Sequence, residues 1–94
     1  MTINTYYSKL MNRSLDDLKN KIIYRASYRG TKEMDLLMSK FVKLILKNLN
    51  LKQLNNLNYL VSLDDESLYK IKNKLITNSK IDKYILDKFI DFKY

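Results

Sequence analysis

Apolar residues recur along this chain at helical spacing, in short stripes separated by polar punctuation. Leu15, Leu18, Ile22 and Ala26 fall at three- and four-residue intervals and predict a helix from about 15 to 28. Ser14 precedes it and Asp16 and Asp17 follow, the arrangement of an N-cap and an acidic first turn. Gly30 ends that helix, in the position where a left-handed C′ residue is expected. Thr31 caps the next, with Glu33 and Asp35 in its first turn. Met34, Leu37, Met38, Phe41, Leu44 and Ile45 carry this second helix to about 47. Asn50 caps a third, through Leu51, Leu54, Leu57, Leu60 and Val61. Asp64 caps a fourth, with Leu68, Ile71 and Leu75 inside it. Asn78 or Ser79 caps a fifth, with Ile81, Tyr84, Ile85, Phe89 and Phe92.

Strand signals are missing: the chain has no hairpin dipeptide and no sustained alternation. With no Pro and one Gly there is also no linker, repeat or low-complexity block. The pattern predicts an all-α fold, a compact bundle of five short helices forming a single domain over 1–94. Residues 1–13 show no clear period and are expected to form a flexible N-terminal arm. At 94 residues the chain holds one modest core and no large internal pocket.

Composition narrows the chemistry. The chain has neither Cys nor His, which removes disulfides, thiol nucleophiles, imidazole bases and the usual zinc ligands. No glycine-rich phosphate cradle exists, and Asp16-Asp17 and Asp64-Asp65-Glu66 sit where helix N-termini favour acids. No constellation of catalytic, cofactor-binding or metal-binding residues emerges. No apolar run approaches the ~18–20 residues needed to cross a bilayer. The N-terminal residues have the layout of neither a secretory signal nor a mitochondrial presequence, so a bacterial cytoplasm is the expected location.

The net charge of +8 raises nucleic acid, anionic membrane and acidic proteins as partners. Against nucleic acid stands the scarcity of Arg, confined to Arg13, Arg25 and Arg29, since guanidinium grips phosphate and guanine in a bidentate fork. Abundant Lys, Asn, Ile and Tyr with almost no Gly or Pro also fit a coding bias toward A and T. Lys40, Lys43 and Lys47 form one stripe on the second helix, either its solvated face or a binding patch.

The corner between the first two helices is the most distinctive feature. Tyr24 and Tyr28, and likewise Arg25 and Arg29, lie one turn apart beside the only Gly. Two arrangements satisfy these residues. In one, Arg29 pairs with Glu33 across the corner, an exposed contact contributing only ~0–1 kcal/mol. In the other, the Gly-sharpened corner presents Arg, Glu and Tyr outward, and Arg and aromatics are the types that anchor interfaces.

The stretch from Tyr24 to Phe41 resembles the signature of the SdhE family of succinate dehydrogenase assembly factors, also called flavinators. Its Arg-Gly-x-x-Glu core, the following Asp and leucines and a Phe on the same helix are filled by Arg29, Gly30, Glu33, Asp35, Leu36, Leu37 and Phe41. Leu63-Asp-Asp-Glu-Ser-Leu-Tyr69 resembles the segment opening that family's fourth helix, and the likeness spans roughly residues 15 to 76. It departs at Tyr28, where many members carry a second basic residue, and at Ile71, where many carry Trp. The resemblance implies a chaperone that binds the flavoprotein subunit of succinate dehydrogenase or fumarate reductase and promotes covalent attachment of FAD to a His of that subunit. It implies a partner-binding surface at Tyr28, Arg29, Gly30, Thr31, Glu33 and Asp35. No stably bound cofactor is expected, because the FAD is carried by the partner, and the chain is expected to act as a monomer. The alternative is a small basic nucleic-acid-binding or antitoxin-like protein, whose affinity would fall steeply with salt through Lys40, Lys43 and Lys47.

Overall fold

In the computed structural model the described residues are 2–93, with side chains from Arg13 onward. They form α1 (Thr2–Ser27), α2 (Lys32–Ile45), α3 (Leu51–Ser62), α4 (Asp65–Lys72) and α5 (Lys83–Asp91), with a short 3₁₀ turn at Leu46–Asn48. No strand occurs among the described residues. The all-α bundle of five helices is therefore the observed architecture.

α1 departs most from the sequence expectation. It begins at Thr2, so Ser14 lies inside it and Asp16 and Asp17 are exposed mid-helix residues, not a cap and its first turn. The arm expected over 1–13 is helical from Thr2 on. Residues 2–13 contain no Gly or Pro, so nothing in the backbone chemistry stops the helix short of its start.

The core draws on every helix. Ile22 and Ala26 come from α1, and Met38, Phe41, Val42 and Ile45 from α2. α3 gives Leu54, Leu57, Leu60 and Val61; α4 gives Leu68 and Ile71; Ile85 and Phe89 come from α5. α1 packs across both α2 and α3, while α5 packs on α4 and α3. Phe41 sits at the centre, its ring 5.3 Å from that of Phe89 and 5.5 Å from that of Phe92. Each such fully buried apolar side chain contributes roughly 1.5–3 kcal/mol of transfer free energy. Leu44 and Leu75, expected inside, are exposed, whereas Val42 takes the inward position on α2.

The caps are largely local chemistry. The Thr31 hydroxyl accepts from the Met34 amide at 3.2 Å. Asn50 and Gln53 close a reciprocal capping box at 2.8 and 3.0 Å. Asp64 stands at the N-cap position of α4 without a side-chain cap hydrogen bond, yet the nearby Ser67 hydroxyl holds its carboxyl below the ordinary value. α5 starts later than expected. Asn78 closes a local turn by accepting from the Lys80 amide, buried Ile81 pins that turn, and Asp82 caps the helix through the Tyr84 amide. At the far end of α5, the Lys72 ammonium donates to the carbonyls of Phe89, Ile90 and Phe92 at 2.8, 3.0 and 2.6 Å. Burial pushes the Lys72 pKa down from its ordinary value.

Candidate functional site

The corner between α1 and α2 consists of Tyr28, Arg29, Gly30 and Thr31. α1 stops after Ser27, and two side chains from elsewhere take over the backbone groups the helix no longer satisfies. Asp35, one turn into α2, accepts from the Arg29 amide. Asp65, in the first turn of α4, accepts from the Gly30 amide at 2.8 Å.

Asp65 also receives the Arg29 side chain, with Nε to Oδ1 at 2.9 Å. The rest of that guanidinium is spent on main-chain carbonyls. Nη1 donates to Val61 at 2.6 Å and to Arg25 at 3.4 Å, and Nη2 donates to Leu63. Arg29 thereby closes the C-terminal end of α3, where unsatisfied carbonyls and the helix dipole favour a cation. Only 10% of its side chain is exposed. Arg29 is not presented outward and, among the described residues, forms no ion pair with Glu33; it ties the corner to the α3–α4 junction.

Gly30 has a different reason to be Gly from the one its position in sequence suggests. Its φ is not positive, so no left-handed C′ geometry is present. A Cβ at this position would lie 2.8 Å from Asp65 Oδ2, the atom that holds the Gly30 amide. Close approach of the Asp65 carboxylate, not backbone handedness, disfavours a side chain here, since a Cβ would push that carboxylate off the Gly30 amide.

With Arg29 and Asp35 turned to internal work, the solvent face of the corner is made by Tyr28, Gly30, Thr31, Lys32 and Glu33, all exposed. Tyr28 is 71% exposed and its ring stands 4.7 Å from that of Tyr24, itself 65% exposed. Arg25, the other guanidinium of this turn, donates to Asn58 on α3 at 3.2 Å. Chemically, the corner offers aromatic area, a carboxylate and a bare stretch of backbone on a rigid support. Among the described residues no acidic cluster has the geometry to hold a metal ion.

Asp65 is the residue of this corner that local sequence reasoning misses. In the run Asp64-Asp65-Glu66 the helix start accounts for all three acids, and nothing local sets the middle one apart.

Comparison with known families adds the decisive observation. Residues 20–92 match the family model described as the flavinator of succinate dehydrogenase. The chain belongs to this family. As a flavinator it is an assembly factor of succinate dehydrogenase, it promotes FAD attachment, and its partner is a flavoprotein. The resemblance borne by the Tyr24–Phe41 stretch is thus extended to nearly the whole bundle, and the nucleic-acid alternative gains no support. No curated protein and no solved structure matches the flavinator chain. No helix among the described residues is long and apolar enough to cross a membrane.

Proposed function

We propose that the α1–α2 corner is the surface with which this flavinator docks on the immature flavoprotein subunit of succinate dehydrogenase, or of the related fumarate reductase. Tyr28, Gly30, Thr31 and Glu33 make the contact, while Arg29 and Asp35 hold the corner in shape. The observation that carries this is the Arg29–Asp65–Gly30 brace, which fixes an exposed carboxylate and an exposed aromatic on a corner tied to both α3 and α4. A surface held rigid before binding loses little conformational entropy on docking.

On this reading the chain contributes orientation and no catalytic group, as suits a sequence without His or Cys. It holds a domain of the flavoprotein so that the acceptor His meets the isoalloxazine, a positioning effect. FAD stays with the partner throughout; the chain has no resident cofactor, and it works as a monomer in a bacterial cytoplasm. Co-purification tests the docking: the tagged chain, used as bait, is expected to retain the apo-flavoprotein. Tyr28→Ala is expected to weaken retention about tenfold, in the range of an interface anchor. Undiminished retention by that variant would remove the corner from the interface.

A further inference from the structure

An apolar trough begins beside this corner and runs between α2 and α4. Met34 and Leu37 form its floor and Tyr69, 59% exposed, forms its wall. One mouth opens at Thr31, Glu33 and Glu66, beside the corner. The other opens at Lys72 and Lys93, past the end of α4. The same three apolar residues line both halves, so the two halves form one continuous trough. Met34 and Leu37 are only partly covered by the core, and the flexible thioether lets the floor adapt to what lies on it.

Charge selects the occupant. The chain carries +8 overall, yet Glu33, Asp65 and Glu66 line the corner mouth of the trough, and Asp35 and Asp64 stand on the adjoining corner, so five of the ten acids gather here. Arg29, Lys32 and Lys70 leave this end net negative. Asp35 and Asp65 are occupied internally, which leaves Glu33, Asp64 and Glu66 exposed to solvent. Glu66 meets Lys70 at 3.1 Å in an exposed pair one turn apart, a contact weak enough to exchange for another cation. A basic protein would repel most cationic segments, but this mouth attracts them.

We infer that the trough receives a segment of the flavoprotein partner in which a Lys or Arg stands beside a large apolar residue. The apolar side chain lies on Met34 and Leu37 against the Tyr69 ring, and the cation lies at the mouth between Glu33 and Glu66. The corner and the trough then form one continuous interface, and the inference rests on the docking proposed for the corner.

Site-specific photocrosslinking separates the two. The full chain, carrying p-benzoylphenylalanine in place of Tyr28, Tyr69 or Leu44, is co-expressed with the flavoprotein. Leu44, 66% exposed toward the opposite end of α2, is the control. Bands are expected from positions 28 and 69 and not from 44, with the peptide captured at 69 containing a Lys or Arg next to a large apolar residue. A band at 28 without one at 69 overturns the trough and leaves the corner standing. A band at 69 without one at 28 overturns the continuous interface argued here, and bands at neither overturn both. A captured peptide lacking a basic residue overturns the assigned occupant. As a second measurement, Tyr69→Ala and Glu66→Lys are each expected to weaken flavoprotein binding about tenfold, with melting unchanged. Unchanged affinity in both variants would overturn the trough.

Discussion

Arg29, Gly30 and Asp65 act as one unit although 36 positions separate the first from the last. The carboxylate of Asp65 serves a guanidinium and a backbone amide at once, and the absence of a Cβ at residue 30 makes that double service possible. Asp65→Ala strands the Arg29 Nε and the Gly30 amide together, and is expected to lower unfolding free energy by about 2–3 kcal/mol. The shift in urea midpoint measures it. Gly30→Ala is expected to lose about 1–2 kcal/mol, because its methyl group displaces the carboxylate from the same amide. Asp64 gives a pH signature of its own. Its carboxyl titrates below the ordinary 3.8 in the folded chain, so its stabilising contribution is present above 3.8 and is lost as pH falls through the lower folded value. Asp64→Asn should therefore show a shallower acid-side loss of stability than the unaltered protein, measured by thermal melts across that range.

The legibility of this site follows from distance along the chain. The Thr31 cap and the acids behind it are local, since the hydroxyl serves an amide three residues on, and sequence is enough to find them. The Arg29–Asp65 contact depends on how α4 is laid against the corner, which no periodicity records. Gly30 was readable as a place needing Gly, but the physical reason lay in a residue from another helix.

At the scale of the helices, caps were legible where they were chemically distinctive and misleading where they were not. Asn50 with Gln53 forms the expected start of α3. Ser14 with Asp16 and Asp17 offers the same residue types yet lies within α1, because a cap signal carries meaning only where the preceding chain has reason to leave the helix. The end of α4 shows the converse. Leu75 donates to the Lys70 carbonyl at 2.8 Å and Lys74 to that of Ile71 at 3.1 Å, a Schellman-type closure with Lys74 at φ 60°. Gly normally occupies that position, since a side chain there costs about 1–2 kcal/mol. Lys74→Gly should accordingly stabilise the protein by about 0.5–1 kcal/mol, after the greater freedom of Gly in the unfolded chain is subtracted. A melting temperature raised by a few degrees would report it.

For the molecule as a whole, charge and apolar surface are distributed unevenly. Acids and exposed aromatics gather near the α1–α2 corner, while Lys43 and Lys47 lie toward the other end of α2, beside Lys19. If the corner is the docking surface, replacing Lys43 and Lys47 together by Gln leaves flavinylation unchanged, and in-gel fluorescence of the flavoprotein checks this. Family membership follows from the chain as a whole, over residues 20–92, whereas the proposed docking site rests on a handful of residues at one corner. The central claim is that the exposed face of that corner, and Glu33 above all, engages the flavoprotein. Glu33 is the cleanest probe, since it is exposed and its removal costs the fold no more than ~1 kcal/mol of helix-dipole stabilisation. The deciding measurement is covalent flavin on the succinate dehydrogenase flavoprotein co-expressed with the Glu33→Ala chain, read by in-gel fluorescence beside the unaltered chain. The account predicts flavinylation reduced about tenfold with the variant still folded; flavinylation equal to that with the unaltered chain would contradict it.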